Sequence, residues 1–112
     1  MTVMTDCVVA MTTVPADFDA RSLAEALVTN GLAACVALVP SIESVYTWEG
    51  VLQHDREQQL VIKTTRERVD ALWAVLRERH PYEVPEFLVL PVVDGNPAYL
   101  DWVARSARPP SA

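Results

Sequence analysis

Hydrophobic and polar positions change period several times along this chain, and each change marks an element. Cys7–Thr13 is a short apolar run that reads as a strand, ended by Pro15. Ala20, Leu23, Ala24, Leu27 and Val28 then keep the i, i+3, i+4, i+7, i+8 spacing of a helix with one core-facing stripe. Asp17 or Asp19 supplies its N-cap, and Asn30-Gly31 closes it in the left-handed conformation that glycine tolerates. Leu32–Val39 is apolar with β-branched residues and is interrupted by Pro40-Ser41. Beyond the break, Ile42, Ser44, Tyr46 and Trp48 fall on one parity, and Glu43, Thr47 and Glu49 on the other. That is strand alternation. In a second extended run Leu60 and Ile62 alternate with Gln59, Val61 and Lys63. The two runs read as long antiparallel strands meeting near Glu49-Gly50-Val51.

Thr64-Thr-Arg-Glu67 matches a capping box. The helix behind it carries Val69, Leu72, Trp73 and Leu76 on one face, with Arg66, Arg68, Arg77 and Arg79 mostly on the solvated side. Pro81 bars continuation of the helix, and Tyr82–Pro85 reads as a link. Phe87–Leu90 and Val92-Val93 form a last strand, with Pro91 at a bulge or an edge. Asp94-Gly95 is a turn. Asn96 caps a short final helix with Pro97 at its first position and Tyr99, Trp102 and Val103 on it. Arg108–Ala112 reads as a frayed end.

The order β-α-β-β-α-β plus a short helix predicts an α+β, ferredoxin-like sandwich. Both main helices cover one sheet face, and the other is left for self-association. Length sharpens this expectation. At about 3.3 Å per residue, Leu32–Trp48 would reach roughly 55 Å if unbroken. A compact domain of this size has a radius of gyration of only about 13 Å. The hairpin therefore overhangs its own domain, and its tip aromatics Tyr46 and Trp48 need a partner.

Composition narrows the function classes. The 112 residues read as one domain, residues 1–112, and 51% hydrophobic content supplies a core. A net charge of −6 argues against nucleic acid and against an anionic membrane surface. No apolar run approaches the length of a membrane span. Met1–Asp6 lacks the basic and apolar regions of a signal peptide, so a cytoplasmic protein is expected. Cys7 and Cys35 each sit in an apolar run and read as buried free thiols.

Candidate chemistry is sparse. Neither Cys-x-x-Cys nor His-x-x-x-His is present, and the isolated glycines Gly31, Gly50 and Gly95 make no phosphate-cradling loop. No nucleophile motif accompanies either histidine. His54-Asp55-Arg56-Glu57 reads as a solvated turn, and His80 before Pro81 as a helix C-terminal cap or a metal ligand. Softness would direct copper(I) or zinc to Cys35 or Cys7, were burial not to withhold them. Tyr46, Trp48, Glu49, Lys63 and Tyr82 form the more informative set, fit either for interface contact or for lining a cleft between subunits.

Three stretches together resemble one family. Leu32-Ala-Ala-Cys35, Tyr46-Thr-Trp-Glu-Gly50, and His80-Pro-Tyr-Glu-Val-Pro-Glu86 followed by Leu90-Pro-Val-Val-Asp-Gly95 are similar to the CutA divalent-cation-tolerance proteins, with Tyr99-Leu-x-Trp102 near the end. The resemblance covers roughly residues 6 to 106. It implies a cytoplasmic homotrimer of ferredoxin-like subunits, similar to the PII signalling trimer. It also implies a link to metal tolerance, chiefly copper, with no enzymatic activity and no required cofactor. Copper-binding members present a Cys at the end of the first strand and two histidines before the proline. Thr12, Arg79 and His80 stand at those positions here, which leaves His80 as the metal candidate. Weak binding of copper or another divalent cation is the expectation. A small-ligand binder or enzyme using the clefts is the alternative.

Overall fold

The computed structural model describes residues 5–109. Strand β1 spans Cys7–Pro15, helix α1 Ala20–Thr29, β2 Cys35–Trp48 and β3 Val51–Thr65. A 3-10 turn at Arg66–Arg68 leads into α2, Val69–Arg79, followed by β4, Leu88–Pro91, and α3, Pro97–Ser106. The four strands form one antiparallel sheet in the order β2-β3-β1-β4. This is the expected α+β, ferredoxin-like arrangement.

Period-two alternation sets the core. Val8, Ala10, Thr12 and Val14 of β1 and Leu60, Ile62 and Thr64 of β3 all point to the helix side and are buried. Leu23 and Leu27 of α1 and Leu72 and Leu76 of α2 pack onto that face. Val28, expected on the same stripe, is largely exposed. A second, smaller cluster joins Cys7, Ala34, Val103 and Ala107, so α3 closes one end of the opposite face.

Local chemistry decides the element ends. Asp19 caps α1 by accepting from the Ser22 amide at 3.0 Å. Leu32 does not begin β2 as its apolar run suggested. The Leu32 and Ala33 amides both donate to the Leu27 carbonyl, so these residues finish the helix, with Gly31 at φ +68°. The capping box at Thr64–Glu67 is not formed. The Thr64 hydroxyl donates instead to the Leu32 carbonyl at 2.8 Å, inside the core, and no side chain caps the 3-10 turn. Core hydrogen bonding outcompetes the local cap, because a buried hydroxyl without a partner is costly. β4 is a short edge strand, which accommodates Pro91.

The hairpin runs past the rest of the sheet. β1 pairs with β3 from Thr65 only as far as Glu57, whereas β2 pairs with it to Val51. Val51–Arg56 thus present an open strand edge about 20 Å long. The Cα radius of gyration, 15.0 Å, exceeds the compact expectation accordingly. One extra residue is inserted in β2 between Val39 and Ile42, at Pro40-Ser41, while β3 continues unbroken. Cys35, Ala37 and Val39 share a face with Lys63, Val61 and Gln59. After the bulge that face passes to Ile42, Ser44, Tyr46 and Trp48.

Two glycines make a direct test of this geometry. Gly50 has φ +78° and open space around it, so Gly50→Ala should cost about 1 kcal/mol. At Gly31 a Cβ would meet the Arg108 carbonyl oxygen at 1.7 Å, so Gly31→Ala should cost clearly more, because the C-terminal segment must move as well. Urea unfolding of the two variants checks the order. An equal loss would contradict the close approach of Arg108 to the end of α1.

Candidate functional site

The segment between α2 and β4 lies beside the overhanging hairpin because three anchors hold it there. His80 leaves α2 in extended geometry, as the following proline requires, and its ring is buried. Its Nε2 lies 2.7 Å from the Thr13 carbonyl oxygen, an acceptor only, so Nε2 carries the proton. Its Nδ1 accepts from the Tyr82 amide at 3.1 Å. Tyr82 in turn donates its hydroxyl to Glu57 Oε2 at 2.8 Å. Phe87 stacks on Trp73 of α2 with ring centroids 4.8 Å apart.

Between this segment and the hairpin lies an open cleft of about 860 Å³. Tyr46 and Trp48 of β2 form one wall, and Pro81–Glu86 the other. Asp55 and Glu57 of β3 and Thr13 of β1 contribute to its lining. Tyr46 donates its hydroxyl to the Asp55 carboxylate, a diagonal cross-strand pair. Four carboxylates line the cleft, from Asp55, Glu57, Glu83 and Glu86, and no Lys, Arg or His side chain does so among the described residues. Glu57 is only 6% exposed.

The charges leave their mark on the neighbouring groups. Burial, and then the hydrogen bond to Glu57, hold the Tyr82 phenol far above its ordinary range. The hydrogen bond to Asp55, followed by burial, raises that of Tyr46. Burial and then the charge of Glu57 push the Glu86 carboxyl up.

Tyr46, Trp48 and Tyr82 line this cleft within one chain, and Glu49 and Lys63 of the same chain do not; the expected cleft between subunits involves a second copy. Glu49 occupies the tip turn with φ +50°, outside the lining. Lys63 lies six residues beyond Glu57 on β3, paired with Cys35 and Val9, about 20 Å along the strand. A fifteen-residue strand spreads its residues too far for shared parity to mean proximity. His80, the expected metal candidate, is buried at the end of α2. Both its ring nitrogens are engaged in hydrogen bonds, leaving no free lone pair in this conformation. Thr12 is buried in the core with its hydroxyl unpartnered, and Arg79 is exposed. Among the described residues no group of three or more His, Cys, Asp and Glu side chains is disposed to hold a metal ion. Cys7 is buried, which raises its thiol pKa, whereas Cys35 is only half-buried.

The residues sequence reasoning missed are Asp55 and Glu57. They are strand residues rather than a solvated turn. Their parity with Gln59, Val61 and Lys63 was the available signal, since it places both carboxylates on the face that Tyr46 and Trp48 share.

The family model for CutA1 divalent ion tolerance protein matches residues 8–106. A "Protein CutA 1, chloroplastic" of Oryza sativa subsp. japonica is 45% identical over 101 residues, covering 90% of this chain and 57% of that protein. The chain thus spans little more than half of that relative's length. A "Divalent-cation tolerance protein CutA" of Pectobacterium atrosepticum is 45% identical over 103 residues, covering 92% of this chain and 94% of the relative. Among solved structures, CutA1 from Oryza sativa superposes with a TM-score of 0.88 at 43% identity, over 94% of this chain and 96% of that one. A PII-like protein CutA from a Nostoc species does so with a TM-score of 0.83 at 31% identity, over 90% and 97%.

The Tyr82–Glu57 hydrogen bond can be measured directly. Tyr82→Phe strands a buried carboxylate and should cost about 1–3 kcal/mol in urea unfolding. Because the folded phenol pKa lies above the unfolded value, the stability it confers is fully present below about pH 10 and lost as pH rises through the folded value. Ultraviolet absorbance of tyrosinate, taken as the difference between the native protein and Tyr82→Phe, should show the Tyr82 phenol ionising above its ordinary range. Ionisation in the ordinary phenol range, while the protein remains folded, would contradict the buried contact.

Proposed function

Because the chain belongs to the CutA1 divalent ion tolerance protein family, we propose that it acts as a non-enzymatic homotrimer in the response to divalent cations. The open edge of the hairpin, Val51–Arg56, carries the assembly reading. An unpaired edge flanked by exposed Val45, Trp48, Val51 and Leu52 invites a second chain. Leu88, Leu90 and Val93, exposed on and beside the other edge strand, are an apolar counterpart of the kind that a neighbouring copy would cover. The trimeric number comes from the family resemblance, as does the cytoplasmic setting, with which two free thiols agree.

Metal binding in this reading is weak. Copper(II) outranks zinc and cobalt at nitrogen and oxygen sites in general. For His80 to ligate through Nδ1, however, it must give up the Tyr82 amide, at a cost of about 1 kcal/mol. The response to cations therefore rests on low-affinity contacts or on a signalling and scaffold role for the assembly. The second reading, a small-ligand site or an enzyme, draws on the aromatic-walled cleft itself.

Light scattering should give about three subunit masses, and Trp48→Asp should lower the assembly, because large aromatics anchor interfaces. A native monomer at micromolar concentration would remove the assembly reading. Calorimetric copper titration of the native protein, His80→Ala and His54→Ala checks the metal reading. Weak native binding that falls further in His80→Ala is expected. Loss in His54→Ala alone moves the site to the hairpin, where His54 faces Glu43 at 3.9 Å. Nanomolar binding would bring in half-buried Cys35 as a ligand.

A further inference from the structure

The sheet face turned away from α1 and α2, left free for self-association, carries opposite charges at its two ends. Ile62 and Thr64 point into the core, so Lys63 between them lies on the free face. It is half-buried and paired with Val9 and Cys35, and the next row on the same face is Val61, Met11 and Ala37, all apolar. Lys63 is the only lysine in the sequence and the one Lys or Arg that the four strands place on this face. Neither of the two ion pairs among the described residues includes it. Toward the hairpin the same face carries Asp55 and Glu57, with Tyr46 and Trp48 beside them. Lys63 and Glu57 lie about 20 Å apart along β3, so within one chain they do not meet.

We propose that Lys63 of one copy enters the cleft of the next, its ammonium answered by Glu57 and Glu86 and its methylene stem lying against Trp48 and Tyr82. This rests on the assembly reading above and names the contact that orients it. A face covered by a second copy loses water at both ends, and a buried charge is tolerated only where an opposite charge meets it. Each copy carries the two halves of such a pair on one surface, out of each other's reach. Contact between copies satisfies both at once, and in a closed ring each copy gives one lysine and receives one. The arginines of α3, which packs on this side, are engaged elsewhere: Arg105 with Asp101, and Arg108 through Nε with the Ala104 carbonyl. The chemistry of the cleft suits a lysine, because its stem covers apolar surface and its ammonium is attracted to an aromatic face. Complementary charge of this kind fixes which surfaces meet and in what register.

A single lysine makes the test direct. A carbodiimide joins an amine to a carboxylate as an amide, with loss of water and no spacer, only where the two groups touch. On the native assembly it should link copies covalently, giving bands at two and three subunit masses on a denaturing gel. Mass spectrometry of those bands should join Lys63 to Glu57 or Glu86. Lys63→Arg keeps the charge but not the amine, so it should assemble within a few-fold of the native protein and lose these links. Lys63→Met keeps the stem and removes the charge. It should raise the subunit concentration at which the assembly dissociates roughly tenfold or more, read by light scattering on dilution at a fixed urea concentration. The inference is overturned if Lys63 forms no link between copies, if its links run only to carboxylates outside the cleft, or if Lys63→Met dissociates as the native protein does. The two readings fail differently. An intact trimer without links from Lys63 to the cleft removes this inference alone, whereas a native monomer removes the assembly reading and this inference with it.

Discussion

Strand β3 lies between two strands from Glu57 to Lys63 and has only β2 beside it from Val51 to Arg56. The break falls where β1 turns away at Pro15 into α1. Backbone polar groups must be satisfied, so the point at which β1 leaves divides the molecule in two. On one side lies a self-sufficient sandwich whose core is filled by two helices. On the other lies a β-ribbon with side chains exposed on both faces. Isolated two-stranded ribbons are marginal in water, and this one is held because its base is continuous with a four-stranded sheet. The cleft sits at this junction, where Glu57 is the last β3 residue with neighbours on both sides.

The same junction explains the electrostatics of the site. A chain of hydrogen bonds runs from the Thr13 carbonyl through His80 and the Tyr82 amide, and the Tyr82 phenol then reaches Glu57. It ties β1, the end of α2 and β3 together at the mouth of the cleft. Each link is made with neutral donors, so the negative charge at the end of the chain is positioned without being neutralised. The rise in the Glu86 carboxyl follows partly from that charge. No Lys, Arg or His side chain among the described residues lines the cleft beside these carboxylates.

Much of the architecture was legible because the periodicities were clean. The leucines of α1 and α2 and the alternation at Leu60 and Ile62 specify helix and strand without ambiguity, and the long hairpin was visible from chain length alone. What failed were features that depend on long-range partners. Thr64 looks like a helix cap until the Leu32 carbonyl is seen to take its hydroxyl. Leu32 looks like strand until its amide is needed to close α1. Lys63 shares a parity class with Glu57, but parity carries no information about distance along a strand. Asp55 and Glu57 look solvated because carboxylates usually are, and only the folding back of Pro81–Glu86 covers Glu57. His80 was recognised as a special position. Its two hydrogen bonds depend on Thr13, sixty-seven residues away, which no local pattern announces.

The single extra residue at Pro40-Ser41 carries a consequence for how this strand tolerates change in length. Because the bulge resets the phase of β2, Tyr46 and Trp48 share a side with Cys35 and Val39 despite opposite parity. Loss of one residue there would restore a regular ladder with little harm to backbone pairing. It would nevertheless exchange every side chain of the arm, turning Val45 and Thr47 toward the carboxylates and both aromatics away. Loss or gain of two residues would preserve the facing and merely change the reach of the arm. Length variation in this ribbon should therefore be filtered by whether it is odd or even, and the arm can lengthen or shorten by pairs of residues while the cleft keeps its walls.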